Sequence, residues 1–124
     1  HVAFLAAAAA EADVLVVALN SDAGVHAIKG PGRPVNRVAD RAAVLAAMDR
    51  IDHLVSFDGN APTALIEAIR PDVYIKGADH DVAALPEARA TQRLGGSVVT
   101  VPLLPDRSTA SVIEACALAQ RSSA

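Results

Sequence analysis

Three short sets of residues hold most of this chain's capacity for chemistry. They are Asn20-Ser21-Asp22, Lys76-Gly77-Ala78-Asp79 and Arg107-Ser108-Thr109. Lys29, Arg33 and Arg41 lie in or beside a loop rich in Gly and Pro, and His1 heads a helical stretch. Cations, hydroxyls and helix N-termini gathered together are what a polyphosphate requires, because each offers a donor to a phosphate oxygen. The carboxylates beside them suit ribose hydroxyls or a metal carried by the phosphates.

Each set also has a plainer reading. A histidine at a chain start reads as exposed and inert. Ser108-Thr109 can be no more than an N-cap, Asp79 can cap the helix after it, and the loop from Lys29 to Arg33 can be a rigid turn with solvated charges. Lys76 is harder to dismiss, because a cation ending an apolar strand faces the crevice where open α/β sheets bind ligands. His26, His53 and His80 lack zinc-ligand spacing, so no resident metal is expected. Cys116, mid-helix on an apolar stripe, reads as core rather than nucleophile. No Gly-x-Ser-x-Gly, Walker loop or Gly-x-Gly-x-x-Gly occurs.

The elements that must position these residues follow from the hydrophobic pattern. Residues 1–12 are strong helix formers without Gly or Pro. The unbroken apolar run 14–19 suits a parallel strand buried on both faces. Two Pro and two Gly make 29–37 a loop. A helix over about 39–49, a strand at 53–57 and a helix from Pro62 to Arg70 follow, the last closed by Pro71. Residues 72–76 form a strand, 86–94 a helix ending at Gly95-Gly96, and 97–101 a fourth strand. Ser108-Thr109 should cap a final helix reaching about Gln120. This alternation predicts an α/β fold with a Rossmann-like, doubly wound parallel sheet. The chain opens in a helix where such a fold would open in a strand.

With 124 residues, 52% of them hydrophobic, the chain is one domain over 1–124 with enough apolar content to exclude disorder. A net charge of −3 and 2% aromatics exclude the basic, stacking surface of a nucleic-acid binder. The longest apolar stretch, Val2 to Ala10, is far short of the roughly 20 residues a membrane helix needs. A single cysteine and no secretory pattern point to the cytoplasm.

The order of the sets resembles the nucleotidyltransferases of the cytidylyltransferase-like superfamily, marked by a His-x-Gly-His motif after the first strand. Within it the chain is similar to the D-glycero-β-D-manno-heptose 1-phosphate adenylyltransferases. The resemblance rests on His1-Val2-Ala3-Phe4-Leu5, Val17 to Asp22, Lys29-Gly30-Pro31-Gly32-Arg33-Pro34-Val35-Asn36, Asp40-Arg41, Pro71 to Asp79 and Arg107-Ser108-Thr109. It implies the HxGH nucleotidyltransferase fold, with His1 as the motif's second histidine. It implies catalytic roles for His1 and Lys29, and nucleotide contacts from Lys76, Gly77, Asp79, Ser108 and Thr109. Substrate or phosphate contacts would fall to Asn20, Asp22, Arg33 and Arg41, Asp22 touching substrate or helping to place Mg²⁺. The implied partners are ATP, with its Mg²⁺, and a sugar 1-phosphate; the implied assembly is a homodimer.

Two departures stand out. Ala78 and His80 replace a glycine and a tyrosine usual in the family. The first strand, with the motif's first histidine and glycine, is missing from this sequence. That strand is central in the fold, so a gap is expected between the strands at 14–19 and 72–76. The rival readings are another sugar- or alcohol-phosphate cytidylyltransferase, using CTP, and a non-catalytic Rossmann-like nucleotide-binding module.

Overall fold

The computed structural model describes residues 1–78 and 81–123. Asp79, expected at the ribose, lies outside the described residues, as does His80. Helices and strands alternate: α1 (Val2–Ala9), β1 (Val16–Asn20), α2 (Asp22–Lys29), α3 (Val38–Ala46), β2 (His53–Phe57) and α4 (Thr63–Ile69). Then come β3 (Val73–Gly77), a single 3₁₀ turn (Val82–Ala84), α5 (Pro86–Arg93), β4 (Ser97–Val101) and α6 (Thr109–Ser122).

Local chemistry sets the boundaries. Pro62 precedes α4, and Arg70 ends it in the left-handed region at φ 54°, just before Pro71. Pro86 opens α5, where its missing N–H has no partner to lose. Ser108 caps α6 in a reciprocal box with Ser111: Ser111 N donates to Ser108 Oγ at 3.1 Å, and Ser108 N to Ser111 Oγ at 3.2 Å. Helix α2, which the hydrophobic pattern does not announce, starts from Ser21, whose Oγ accepts from Gly24 N at 3.1 Å. Gly24 weakens the helical signal, yet a Cβ there would lie 3.2 Å from the carbonyl oxygen of Gly59. The close approach of α2 to the loop after β2 accounts for the glycine.

All strand pairing is parallel, but it forms two separate pairs, β1 with β2 and β3 with β4. Between β1 and β3 is a cavity of about 410 Å³ lined by Val16, Val17 and Ala18 on one side and Val73, Tyr74 and Ile75 on the other. This is the gap expected between those strands. The expectation that the 14–19 run is buried on both faces fails: Val14 is 56% exposed and β1 is half-exposed along its length. The reason is the gap, since among the described residues β1 has a neighbouring strand on one edge only. The core is correspondingly small, built on Leu5, Ala8, Ile66, Ala88, Ala90 and Val101.

Helix α5 seats closely on the β3–β4 pair. Gly96 permits this, because a Cβ there would fall 2.6 Å from the Pro71 carbonyl oxygen and 2.7 Å from Thr91 Cγ2. Helix α6 has no buried residue, and Cys116 is exposed rather than core as its apolar stripe suggested. No helix among the described residues is long and apolar enough to cross a membrane.

Candidate active site

The C-terminal ends of the two strand pairs gather the sequence-selected residues into two groups. The first lies beyond β1. Asp22 Oδ1 accepts from Val38 N at 2.8 Å and from Arg41 Nη2 at 3.0 Å. The same Arg41 nitrogen donates to the Asn20 carbonyl oxygen at 2.9 Å, and Arg41 Nε to that of Asn36 at 3.1 Å. The Asn20 side chain donates to the Gly59 carbonyl oxygen at 3.0 Å, and His26 Nδ1 lies 3.3 Å from that of Arg33. Asn20, Asp22 and Arg41 thus tie the loop at 30–37 to the end of β1. Lys29, at the last turn of α2, is exposed, and Arg33 is half-buried within the tied loop.

The second group lies beyond β3 and β4. His1 at the start of α1 and Arg107 and Ser108 at the start of α6 line one cavity of about 400 Å³, walled by Phe4, Val101 and Leu104. Two helix N-termini therefore open on the same space, where their unpaired N–H groups favour an anion. Ser108 and Thr109 are exposed, and the Ser108 hydroxyl is engaged in its capping box. The plainer N-cap reading of Ser108 is thereby present in the structure, and a cap at a helix start also stands where a phosphate would bind. Lys76 pairs in register with Thr100, one residue before Val101 of the cavity wall, and Gly77 is buried opposite Val101.

A residue without any sequence signal joins this second group. Glu87, in the first turn of α5, is only 4% exposed. Its Oε1 accepts from the Tyr74 hydroxyl at 3.3 Å and lies 3.7 Å from Lys76 Nζ. Its Oε2 is buried with no hydrogen-bond partner among the described residues. Burial, then the charge and hydrogen bond of Glu87, hold the Tyr74 phenol far above its ordinary ionisation range. Among the described residues no group of three or more His, Cys, Asp or Glu is placed to hold a metal ion.

This arrangement can bind an extended anion along the strand ends, with helix termini and a lysine on one side and a pinned basic loop on the other. A family model described as cytidylyltransferase-like matches residues 1–115. The chain is 49% identical over 113 residues to the bifunctional protein HldE of Mesorhizobium japonicum, covering 91% of this chain and 23% of that protein. It is 45% identical over 113 residues to the bifunctional protein HldE of Streptomyces coelicolor, covering 91% of this chain and 24% of that protein. The chain thus spans about a quarter of the length of these curated relatives. The crystal structure of the lipopolysaccharide core biosynthesis protein from Thermoplasma volcanium superimposes with a TM-score of 0.63 over 82% of this chain and 81% of that one. At 19% identity that likeness concerns the fold alone.

Proposed function

The chain belongs to the cytidylyltransferase-like family, and we propose that it transfers the adenylyl group of ATP to D-glycero-β-D-manno-heptose 1-phosphate, giving ADP-heptose and pyrophosphate. The observation that carries this reading is the meeting of His1 and Arg107-Ser108 at one cavity beyond β4, beside the end of the strand that carries Lys76. The Lys-Gly-Pro-Gly-Arg-Pro loop, pinned beside the end of the other strand pair, supports the heptose substrate over the alcohol phosphates of CTP-using relatives.

The reaction is an in-line displacement. An oxygen of the sugar 1-phosphate attacks the α-phosphorus of ATP, a new P–O bond forms, and the bond to the bridging oxygen of pyrophosphate breaks. The nucleophile is already an anion at neutral pH, so no proton needs to be removed by the protein. Catalysis then depends on positioning and on spreading positive charge along the phosphates. In this reading His1 and Lys29 stabilise the reacting phosphates. Lys76, Gly77 and Asp79 hold the nucleotide, and Ser108 and Thr109 with the α6 amides hold the β- and γ-phosphates. Arg33 serves the sugar phosphate. Asn20, Asp22 and Arg41 act on substrate by holding its loop in place. Mg²⁺ enters on the ATP phosphates and lowers their mutual repulsion. The two strand pairs are halves of one doubly wound sheet of Rossmann type, with a central strand belonging in the gap. We place the reaction in the cytoplasm, with its ATP, and assign the working form as a homodimer.

Phosphorus NMR of the protein with Mg·ATP and heptose 1-phosphate tests the reading. A nucleoside diphosphate sugar with stoichiometric pyrophosphate is expected; ATP cleaved to ADP and phosphate contradicts it.

A further inference from the structure

We infer that Glu87 is a positioning residue for Lys76, its buried carboxylate holding the ammonium at the strand end where the nucleotide phosphates are read to bind. The inference rests on the assignment of Lys76 to the nucleotide made above.

Tyr74 and Lys76 are two residues apart on β3 and so point to one face of the sheet. Glu87 reaches that face from α5, which lies close because Gly96 leaves room, and its backbone oxygen accepts from Thr91 Oγ1 at 2.9 Å. Among the described residues both groups that meet the carboxylate do so at Oε1, while Oε2 is idle. A carboxylate buried this deeply, with one oxygen unserved by the described residues, is a poor device for stability, since apolar side chains of similar size do as well or better. Its charge is the property that an apolar residue would not supply.

The geometry says what the charge does. At 3.7 Å the ammonium is within ion-pair reach of Oε1 but outside hydrogen-bond distance, and the Lys76 side chain is 31% exposed. An ammonium has three donors, so Lys76 is restrained without being used up. It can stay beside Glu87 and still donate to a phosphate. Tyr74, kept protonated by burial and by this same carboxylate, donates to Oε1 and fixes where the negative charge sits. The pair Arg93–Glu67 shows the contrast: it is short, 2.8 Å, but lies on the surface with both side chains at least half exposed.

The test is a double-mutant cycle read by Mg·ATP titration and by melting temperature, on Glu87→Gln, Lys76→Gln and the double variant. Glu87→Gln should weaken ATP binding about tenfold, the scale of a charge-assisted contact, with the melting temperature kept or raised and the KM for heptose 1-phosphate unchanged. Lys76→Gln should weaken ATP binding at least as much and also lower the melting temperature, because it strands the carboxylate. The double variant should regain the melting temperature without regaining ATP, and Glu87→Gln should cost nothing further in the Lys76→Gln background. If Glu87→Gln does not fold, Glu87→Asp, which withdraws the charge by one methylene, should show the same selective loss of ATP affinity. ATP affinity unchanged by Glu87→Gln but lost in Lys76→Gln overturns the inference and leaves the lysine's assignment standing. ATP affinity unchanged by Lys76→Gln overturns both. An equal loss from Glu87→Gln in both backgrounds shows a scaffold effect and also overturns the inference.

Discussion

Arg41 and Asp22 hold each other at 3.0 Å beyond the end of β1, Arg41 also holding the loop that carries Arg33 and Asp22 the start of α3 that ends it. The family resemblance implies Arg41 at a phosphate and Asp22 at the substrate or beside Mg²⁺, but the geometry makes them work together on the loop. Asp22 takes the first free amide of α3, and Arg41 takes two carbonyl oxygens. The loop's conformation then depends on this pair.

Asp22→Ala should therefore strand the Val38 amide and take the carboxylate partner from Arg41, and cost about 1–3 kcal/mol of stability. Hydrogen exchange across residues 30–38 should rise, and the KM for the sugar phosphate should rise more than that for ATP. Equal effects on both substrates would place Asp22 at the shared phosphates instead.

Ser108→Ala separates a cap from a ligand. Loss of the cap alone should cost about 1 kcal/mol and leave ATP binding unchanged. Ser111→Ala breaks the same box from inside the helix, so it is the matched control. Ser108→Ala is expected to weaken ATP binding well beyond Ser111→Ala at a similar melting temperature.

Alkaline stability should report the Tyr74–Glu87 contact. The phenol's ionisation is pushed upward in the folded chain, from an ordinary value of 10.0. Below that pH the unfolded and folded states both keep the proton, so the contribution is constant. As pH rises past about 10 the unfolded state loses its proton first and stability falls. Tyr74→Phe should melt with a shallower decline above that pH than the parent; an unchanged slope would remove Tyr74 from the network.

The cavity between β1 and β3 should accept a parallel apolar strand. A strand fused ahead of His1 should protect the β1 and β3 amides that face the gap from hydrogen exchange and raise the melting temperature. Turnover should rise with it. Unchanged exchange at those amides would show that the two strand pairs do not share a central neighbour.

Elements fixed by local chemistry are legible in the residues themselves. The strand at 97–101 falls where its β-branched run places it and the Ser108 cap where its hydroxyl does, and the short strand at 53–57 is found at the expected residues. Helix α2 is hidden by Gly24, whose reason is a contact with Gly59 more than thirty residues away. The exposure of β1 and of Cys116 departs from expectation because periodicity shows which face is apolar but not whether a neighbour covers it. Lys76 can be chosen from its place at the end of an apolar strand. Glu87 cannot, since an acid in a helix's first turn ordinarily answers the dipole, and only the seating of α5 on β3 makes it a partner of that lysine.

The direct test of the heptose 1-phosphate adenylyltransferase assignment is pyrophosphate release measured side by side with ATP, CTP and GTP, each with Mg²⁺ and heptose 1-phosphate. Release is expected with ATP well above the other two, and only when the sugar phosphate is present. A clear preference for CTP, or no sugar-dependent release from any of the three, would contradict it.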